Sequence, residues 1–285
     1  MIQKDATYVV MGLLDSDSIA YAIGKAIEKW GGKVIFTVQN ERMKKIFFDR
    51  GSKMTDAEKA RLDIRFCDVT VECDVCNFFK TVGPIAGVVH SIAFANPKTC
   101  LGEEFHTDAI EDIKLGFHIS CISLATVARH AWPHMKDGGS IVALTFESRV
   151  AFPYYNWMGV NKAALEATVR ALARRHGKDL IRVNAVSSGP VLTKAAKSIP
   201  HFAFLSRHWK KVSPLPWDPT GEKEQVANAA AFLLGPYSQK ITGQVIHVDG
   251  GASIAGGEMM PHERPHAYVV EDEEEPVAPP AKPAA

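Results

Sequence analysis

The stretch TYVVMGLLDSDSIAYAIGKAIEKWGGKVIFT, residues 7–37, decides the fold. Residues 7–11 form a short apolar, β-branched run, residues 18–30 carry apolar side chains at helical spacing, and residues 33–37 form a second strand-like run. Asp15, Ser16 and Asp17 supply N-cap chemistry ahead of the helical part, and Gly31-Gly32 supply a stop behind it. A strand, a helix and a strand so closely spaced predict a βαβ unit with parallel strands and a right-handed crossover.

The same alternation continues outward. Apolar runs at 63–66, 87–90, 140–144, 182–186 and 245–248 are separated by amphipathic stretches, of which 156–176 is the longest. This predicts an α/β fold, a single doubly wound parallel sheet of about seven strands with helices on both faces. Ligands of such sheets bind beyond the carboxyl ends of the strands. Two segments break the rhythm. Residues 194–216 are a long insertion rich in Phe, His, Trp and basic side chains, and connections of that length tend to be functional or mobile. Residues 259–285 contain the acidic run 271–275 and then mostly Pro and Ala, a composition that cannot bury a core and predicts a disordered tail. The 285 residues therefore read as one domain, 1–258, followed by a tail.

The chain has 33 Lys+Arg and 32 Asp+Glu, a net charge of +1 that offers no chain-wide attraction to nucleic acid or anionic lipid. The sum hides unlike parts. Residues 271–285 hold five acids and Lys282, a net −4, which leaves +5 on the remainder. No run approaches the roughly 20 apolar residues of a membrane helix, and no basic-then-apolar leader opens the sequence, so a soluble cytoplasmic protein is expected. Five cysteines are too sparse for a disulfide framework. Cys73 and Cys76 are spaced C-x-x-C, but no second pair completes a tetrahedral metal site, and they read as two thiols at the start of a helix.

Candidate functional residues fall at the predicted strand ends. Gly12 through Ser18 form a turn into a helix, where backbone N–H groups and the Ser18 hydroxyl can hold a phosphate; the G-x-G-x-x-G fingerprint is absent, so the turn by itself also reads as a connection that binds nothing. Gln39, after the second strand, sits where such folds recognise an adenosine ribose. It supplies no cation for an extra phosphate, which favours NADH over NADPH. Asp68-Val69 and Ser91-Ile92-Ala93 follow the third and fourth strands, with Asp68 able to accept from an adenine amino group. Tyr155 and Lys162 are nearly two helical turns apart, which places their Cα atoms roughly 10 Å apart along one helix face. There the lysine can hold ribose hydroxyls and favour the phenolate by its charge, while the phenol donates to a developing oxyanion. The same pair also fits an amphipathic helix with a partly buried Tyr and a snorkelling Lys.

These motifs, with Phe36-Thr37-Val38-Gln39-Asn40, Cys67-Asp68-Val69, His90 through Ala95, Ser188-Gly189-Pro190 and His247 through Gly251, make the chain resemble the short-chain dehydrogenase/reductase superfamily. Within it the resemblance is to the enoyl-[acyl-carrier-protein] reductases, over about residues 1–258. The Tyr-x6-Lys spacing discriminates: ordinary superfamily members place the two residues four apart, a position held here by Met158. Two positions depart from the common pattern. Thr145 and Phe146 stand where many of these enzymes have a second Tyr, and Ala93 stands where Gly is frequent.

The resemblance implies a Rossmann-type fold and reduction of the trans-2 double bond of enoyl thioesters by NADH. It implies a catalytic group of Tyr155, Lys162 and Phe146, the last a pocket aromatic that cannot donate a proton. It assigns the cofactor to Gly12, Leu14, Ser18, Ile19, Gln39, Asp68, Val69, Ser91, Ile92, Ala93, Lys162, Val191, Thr193, Lys194 and Ala195. The substrate falls to Ala95, Phe146, Tyr155, Met158, Ile199 and Phe202, with Phe204 beside them and the 194–216 segment as a lid. Arg207, Lys210 and Lys211 would attract an acidic acyl carrier protein, although such a charge cluster is also ordinary solvated surface. A homotetramer, built on the long helices and the chain end around residues 251–257, is implied in the same way. Another short-chain reductase, or an NAD-binding scaffold without turnover, are the alternative readings.

Overall fold

The computed structural model describes residues 1–260 and 262; most of the acidic tail predicted from the sequence lies outside them. Seven parallel strands, β1 (Thr7–Met11), β2 (Lys33–Val38), β3 (Asp63–Phe66), β4 (Gly87–His90), β5 (Gly139–Thr145), β6 (Ile181–Ser188) and β7 (Val245–Val248), form one sheet in the order β3-β2-β1-β4-β5-β6-β7. The predicted runs end within two residues of these limits. The reversal of order lies between β1 and β4, and opens a crevice at the carboxyl edge.

Alternate residues of each strand feed opposite faces. Val10, Phe36, Val89, Val142 and Val186 join one buried cluster, whereas Val9, Ile35, Val88, Ile141 and Ala185 join the other. Strands buried on both faces explain why they read as continuous apolar runs rather than alternating ones. The first cluster is covered by α1 (Ile19–Lys29) and α9 (Lys223–Leu234). The second is covered by α4 (Glu72–Lys80), α6 (Ser123–Ala131) and α7 (Asn156–His176). Short helices α2 (Glu41–Met43) and α3 (Asp56–Lys59) follow β2, and α5 (Ile110–Phe117) runs through a π-helical segment, His118–Ile122, into α6. The inserted segment is not a bare loop: it contains a short 3-10 turn, Ala196–Ser198, and the amphipathic helix α8 (Phe202–Val212), which buries Leu205, Trp209 and Val212.

Ser18 caps α1 as its side chain accepts from the Tyr21 N–H. Cys73 and Cys76 lie near the start of α4 as reduced thiols, and all five cysteines are free. Among the described residues no cluster of three or more His, Cys, Asp or Glu side chains is arranged to hold a metal ion, and no helix is long and apolar enough to cross a membrane.

Candidate active site

The β1–α1 turn begins at Gly12, whose φ of +91° belongs to the left-handed region. A Cβ there would lie 2.1 Å from the Ser91 carbonyl oxygen, so glycine is required where the first and fourth strand ends meet. Along the turn Asp15 is 1% exposed. Its Oδ1 accepts from the Asp17 N–H at 2.9 Å, and its backbone oxygen accepts from the Ser18 hydroxyl at 2.7 Å. Leu14 and Ile19 are half-buried on either side.

Gln39 and Asp68 are neighbours in space: the Gln39 amide donates to Asp68 Oδ2 at 2.9 Å, while Thr70 donates to Oδ1 through its N–H and its hydroxyl. These hydrogen bonds hold the Asp68 carboxyl below its ordinary pKa despite the opposing effect of partial burial. An anion is thus fixed at the end of β2 and β3, with Val69 buried behind it. Ser91 and Ile92 are half-buried and Ala93 is exposed as the chain leaves β4. These three, with Gly12, line the edge at the strand reversal.

Tyr155 and Lys162 meet the site from α7, with Tyr155 at the N-cap position and Lys162 two turns on. Both are buried, 8% and 5% exposed. The Tyr155 ring packs 4.9 Å from that of Phe146, which in turn touches Phe152 and Trp209 at 5.2 and 5.3 Å. Lys162 Nζ donates to the Leu144 carbonyl oxygen at 2.8 Å, its one hydrogen bond among the described residues. Leu144 lies at the end of β5 and Phe146 just after it, so that strand end contacts both the phenol and the ammonium. Burial lowers the Lys162 pKa to about 8, with Glu166 opposing, and burial raises that of Tyr155. Desolvation dominates at the phenol, which stays protonated and can act as a donor.

Met158 and Ala95 are buried in the same apolar cluster as Phe146 and Tyr155. Val191 is buried, and Thr193 Oγ1 accepts from the Ala196 N–H to start the turn over the site, with Ala195 exposed. Ile199 and Phe202 are half-buried, whereas Phe204 is 45% exposed and packs edge-on against Tyr154, not in a channel wall. Tyr154 itself stacks 4.5 Å from His201 and lines a groove of about 410 Å³ with Lys98, Thr99 and Pro200. Lys194 does not face the crevice freely: its ammonium lies 2.9 Å from Asp15 Oδ2.

Several participants escaped the sequence. Glu166 is buried and accepts from Thr145 and Ser148 at 2.9 and 2.7 Å. His90, fully buried, shares a 2.7 Å hydrogen bond with Ser123, and burial together with the Lys162 charge lowers its pKa to about 3. Phe152 and Trp209 complete the aromatic wall from two other segments. Only the i,i+4 relation of Lys162 and Glu166 was visible as a signal in the chain.

The residues present fit a dinucleotide. A close-packed glycine turn leads into a helix start, a polar pair sits where a ribose and adenine would lie, and a buried ammonium has hydrogen-bonding capacity to spare. Comparison with known proteins points the same way. The family described as enoyl-(acyl carrier protein) reductase matches residues 12–253. The chain is 38% identical over 251 residues to the enoyl-[acyl-carrier-protein] reductase [NADH] FabI of Bacillus subtilis (strain 168), covering 86% of this chain and 95% of that one. It is 39% identical over 253 residues to the enoyl-[acyl-carrier-protein] reductase [NADPH] FabI of Staphylococcus aureus (strain MRSA252), covering 87% and 96%. A crystal structure of the Anaplasma phagocytophilum enoyl-(acyl-carrier-protein) reductase in complex with NAD superposes with a TM-score of 0.81 at 34% identity, over 91% of this chain and all of that one. By strand order, the Tyr155–Lys162 geometry and these similarities together, the chain belongs to the enoyl-[acyl-carrier-protein] reductase family.

Proposed function

We propose that the protein reduces the trans-2 double bond of enoyl thioesters borne on acyl carrier protein, with NADH as reductant, in the elongation cycle of fatty-acid synthesis. The observation that carries this reading is a buried phenol packed on Phe146 and a buried ammonium held by Leu144, both at the carboxyl end of β5. When bound, the reduced nicotinamide supplies hydride to the β-carbon. Tyr155 would donate a hydrogen bond to the thioester carbonyl oxygen as negative charge builds there, and the α-carbon of the resulting enolate would take its proton from solvent. Phe146, Phe152 and Trp209 exclude water, which strengthens that bond in a low-dielectric pocket. Lys162 holds the nicotinamide ribose hydroxyls with the protons that Leu144 does not take.

Gly12, Leu14, Ser18 and Ile19 take the pyrophosphate turn, Gln39, Asp68 and Val69 the adenosine, and Ser91, Ile92, Ala93, Val191, Thr193 and Ala195 the remaining cofactor edge. NADH is favoured because the Asp68 carboxylate beside Gln39 would repel a 2′-phosphate. The NADPH named for the S. aureus relative makes this preference worth direct measurement. Ala95, Met158, Ile199 and Phe202 face the acyl chain. Residues 1–258 act as one domain with 194–216 as its lid. The basic residues Arg207, Lys210 and Lys211 attract the acidic carrier. The protein acts in the cytoplasm as a homotetramer, and the exposed apolar residues Ile110, Leu115, Ile122 and Val160 on α5, its π-helical extension and α7 support association between copies.

The test is loss of NADH absorbance with crotonyl and longer enoyl thioesters, alongside Tyr155→Phe. Turnover of 3-oxoacyl but not enoyl thioesters would replace this reading with that of another short-chain reductase. No oxidation with any chain would leave a cofactor-binding scaffold.

A further inference from the structure

The turn proposed to receive the pyrophosphate carries two aspartates, which in isolation would oppose an anion. The fold sets three lysines against them. Asp17 faces Lys53 at 3.2 Å and Lys223 at 3.4 Å, both pairs partly open to solvent. Asp15 is the buried one. Its Oδ2 has no hydrogen-bond partner in ideal geometry but lies 2.9 Å from the Lys194 ammonium. That ammonium also donates to the carbonyl oxygens of Gly51 and Phe47 at 2.9 and 3.3 Å. A Cβ on Gly51 would come within 2.3 Å of Lys194 Nζ, so the backbone there leaves room for it. Three strand-end segments thus converge on one charge: the β1–α1 turn, the stretch after β2 and the start of the lid.

We infer that Lys194 is a positioning residue that neutralises the buried Asp15 carboxylate, and so makes the turn receptive to a dinucleotide pyrophosphate, without gripping the pyrophosphate itself. The inference rests on the cofactor reading above and deepens it. Two hydrogen bonds, to Gly51 and Phe47, and the ion pair with Asp15 hold the ammonium against that carboxylate. Its contribution is to remove a negative charge that would otherwise sit unscreened beside the ligand. A direct phosphate ligand and a neutraliser of Asp15 predict different behaviour when both partners are removed.

Dissociation constants for NADH and for ADP-ribose, which carries the pyrophosphate without the nicotinamide, are to be measured by fluorescence titration on wild type, Lys194→Met, Asp15→Asn and the double variant. Each is to be measured at low and high salt, with melting curves to confirm folding. Lys194→Met should weaken both ligands at least tenfold at both salt concentrations, because a buried carboxylate is little screened by salt. Asp15→Asn should bind within about threefold of wild type, and the double variant should return to the same range. A double variant as weak as Lys194→Met would show that Lys194 holds the phosphate directly and would overturn the inference alone. So would Lys194→Met binding as tightly as wild type. A wild-type protein that binds neither ligand would overturn the cofactor reading, and this inference with it.

Discussion

Replacing Lys162 by Met should stabilise the protein at neutral pH while weakening its hold on NADH. The side chain is 5% exposed, and burial carries its pKa from 10.5 to about 8 against the pull of Glu166. At 1.36 kcal/mol per unit that shift corresponds to a cost of about 3 kcal/mol for keeping the ammonium charged inside the folded chain. Because the folded pKa lies below the unfolded one, the unfolded state binds more protons between about pH 8 and 10.5. The cost is therefore complete below pH 8 and is relieved as pH rises through that window. Methionine fills a similar volume without the charge. It leaves the Leu144 carbonyl without its partner, a loss of about 1 kcal/mol, while Glu166 keeps Thr145 and Ser148. The net gain is about 2 kcal/mol at pH 7, or roughly 4–8 °C in Tm for a chain of this size. By pH 10 it should fall to about zero. Melting curves of wild type and variant at pH 7 and pH 10, with NADH titrations on the same samples, measure both effects. A variant that melts below wild type at pH 7, or a Tm difference that does not change between the two pH values, would refute the reasoning.

Tyr155→Phe should lower kcat about 100- to 1,000-fold, as the loss of one oxyanion donor does. Because the hydroxyl has no hydrogen-bond partner among the described residues and the ring keeps its packing on Phe146, Tm should stay within about 1 °C. Wild-type kcat/KM for NADH should decline above about pH 8 as the free enzyme's Lys162 loses its proton, a limb that a pH–rate profile reads directly. Gly12→Ala combines a left-handed backbone with a Cβ against the Ser91 carbonyl oxygen, and should lower stability by at least about 2 kcal/mol in urea unfolding. Asp68→Asn removes the carboxylate beside Gln39 and should raise NADPH use relative to NADH about tenfold, measured as the ratio of the two kcat/KM values.

What the sequence determined by itself follows from local periodicity. Strands buried on both faces must be apolar throughout, so all seven were legible to within two residues, and the α7 limits were legible from the period alone. The spacing of Tyr155 and Lys162 on that helix fixed a shared face because helical geometry does not depend on what packs against it. The strand-end positions of Gly12, Gln39, Asp68 and Ser91 followed once the sheet was parallel, since every strand then ends on one edge. The electrostatics were set by tertiary structure. The raised pKa of Tyr155 and the lowered pKa of Lys162 arise from burial, and the Tyr155 ring packs on an aromatic wall of Phe146, Phe152 and Trp209 drawn from the β5–α7 connection and α8. The β1–α1 turn reads as acidic along the chain, and only the fold sets Lys53, Lys194 and Lys223 against its two aspartates. Charge pairs between segments 36 to 206 residues apart leave no periodic trace, so the field at the site belongs to the fold and not to any stretch of the sequence.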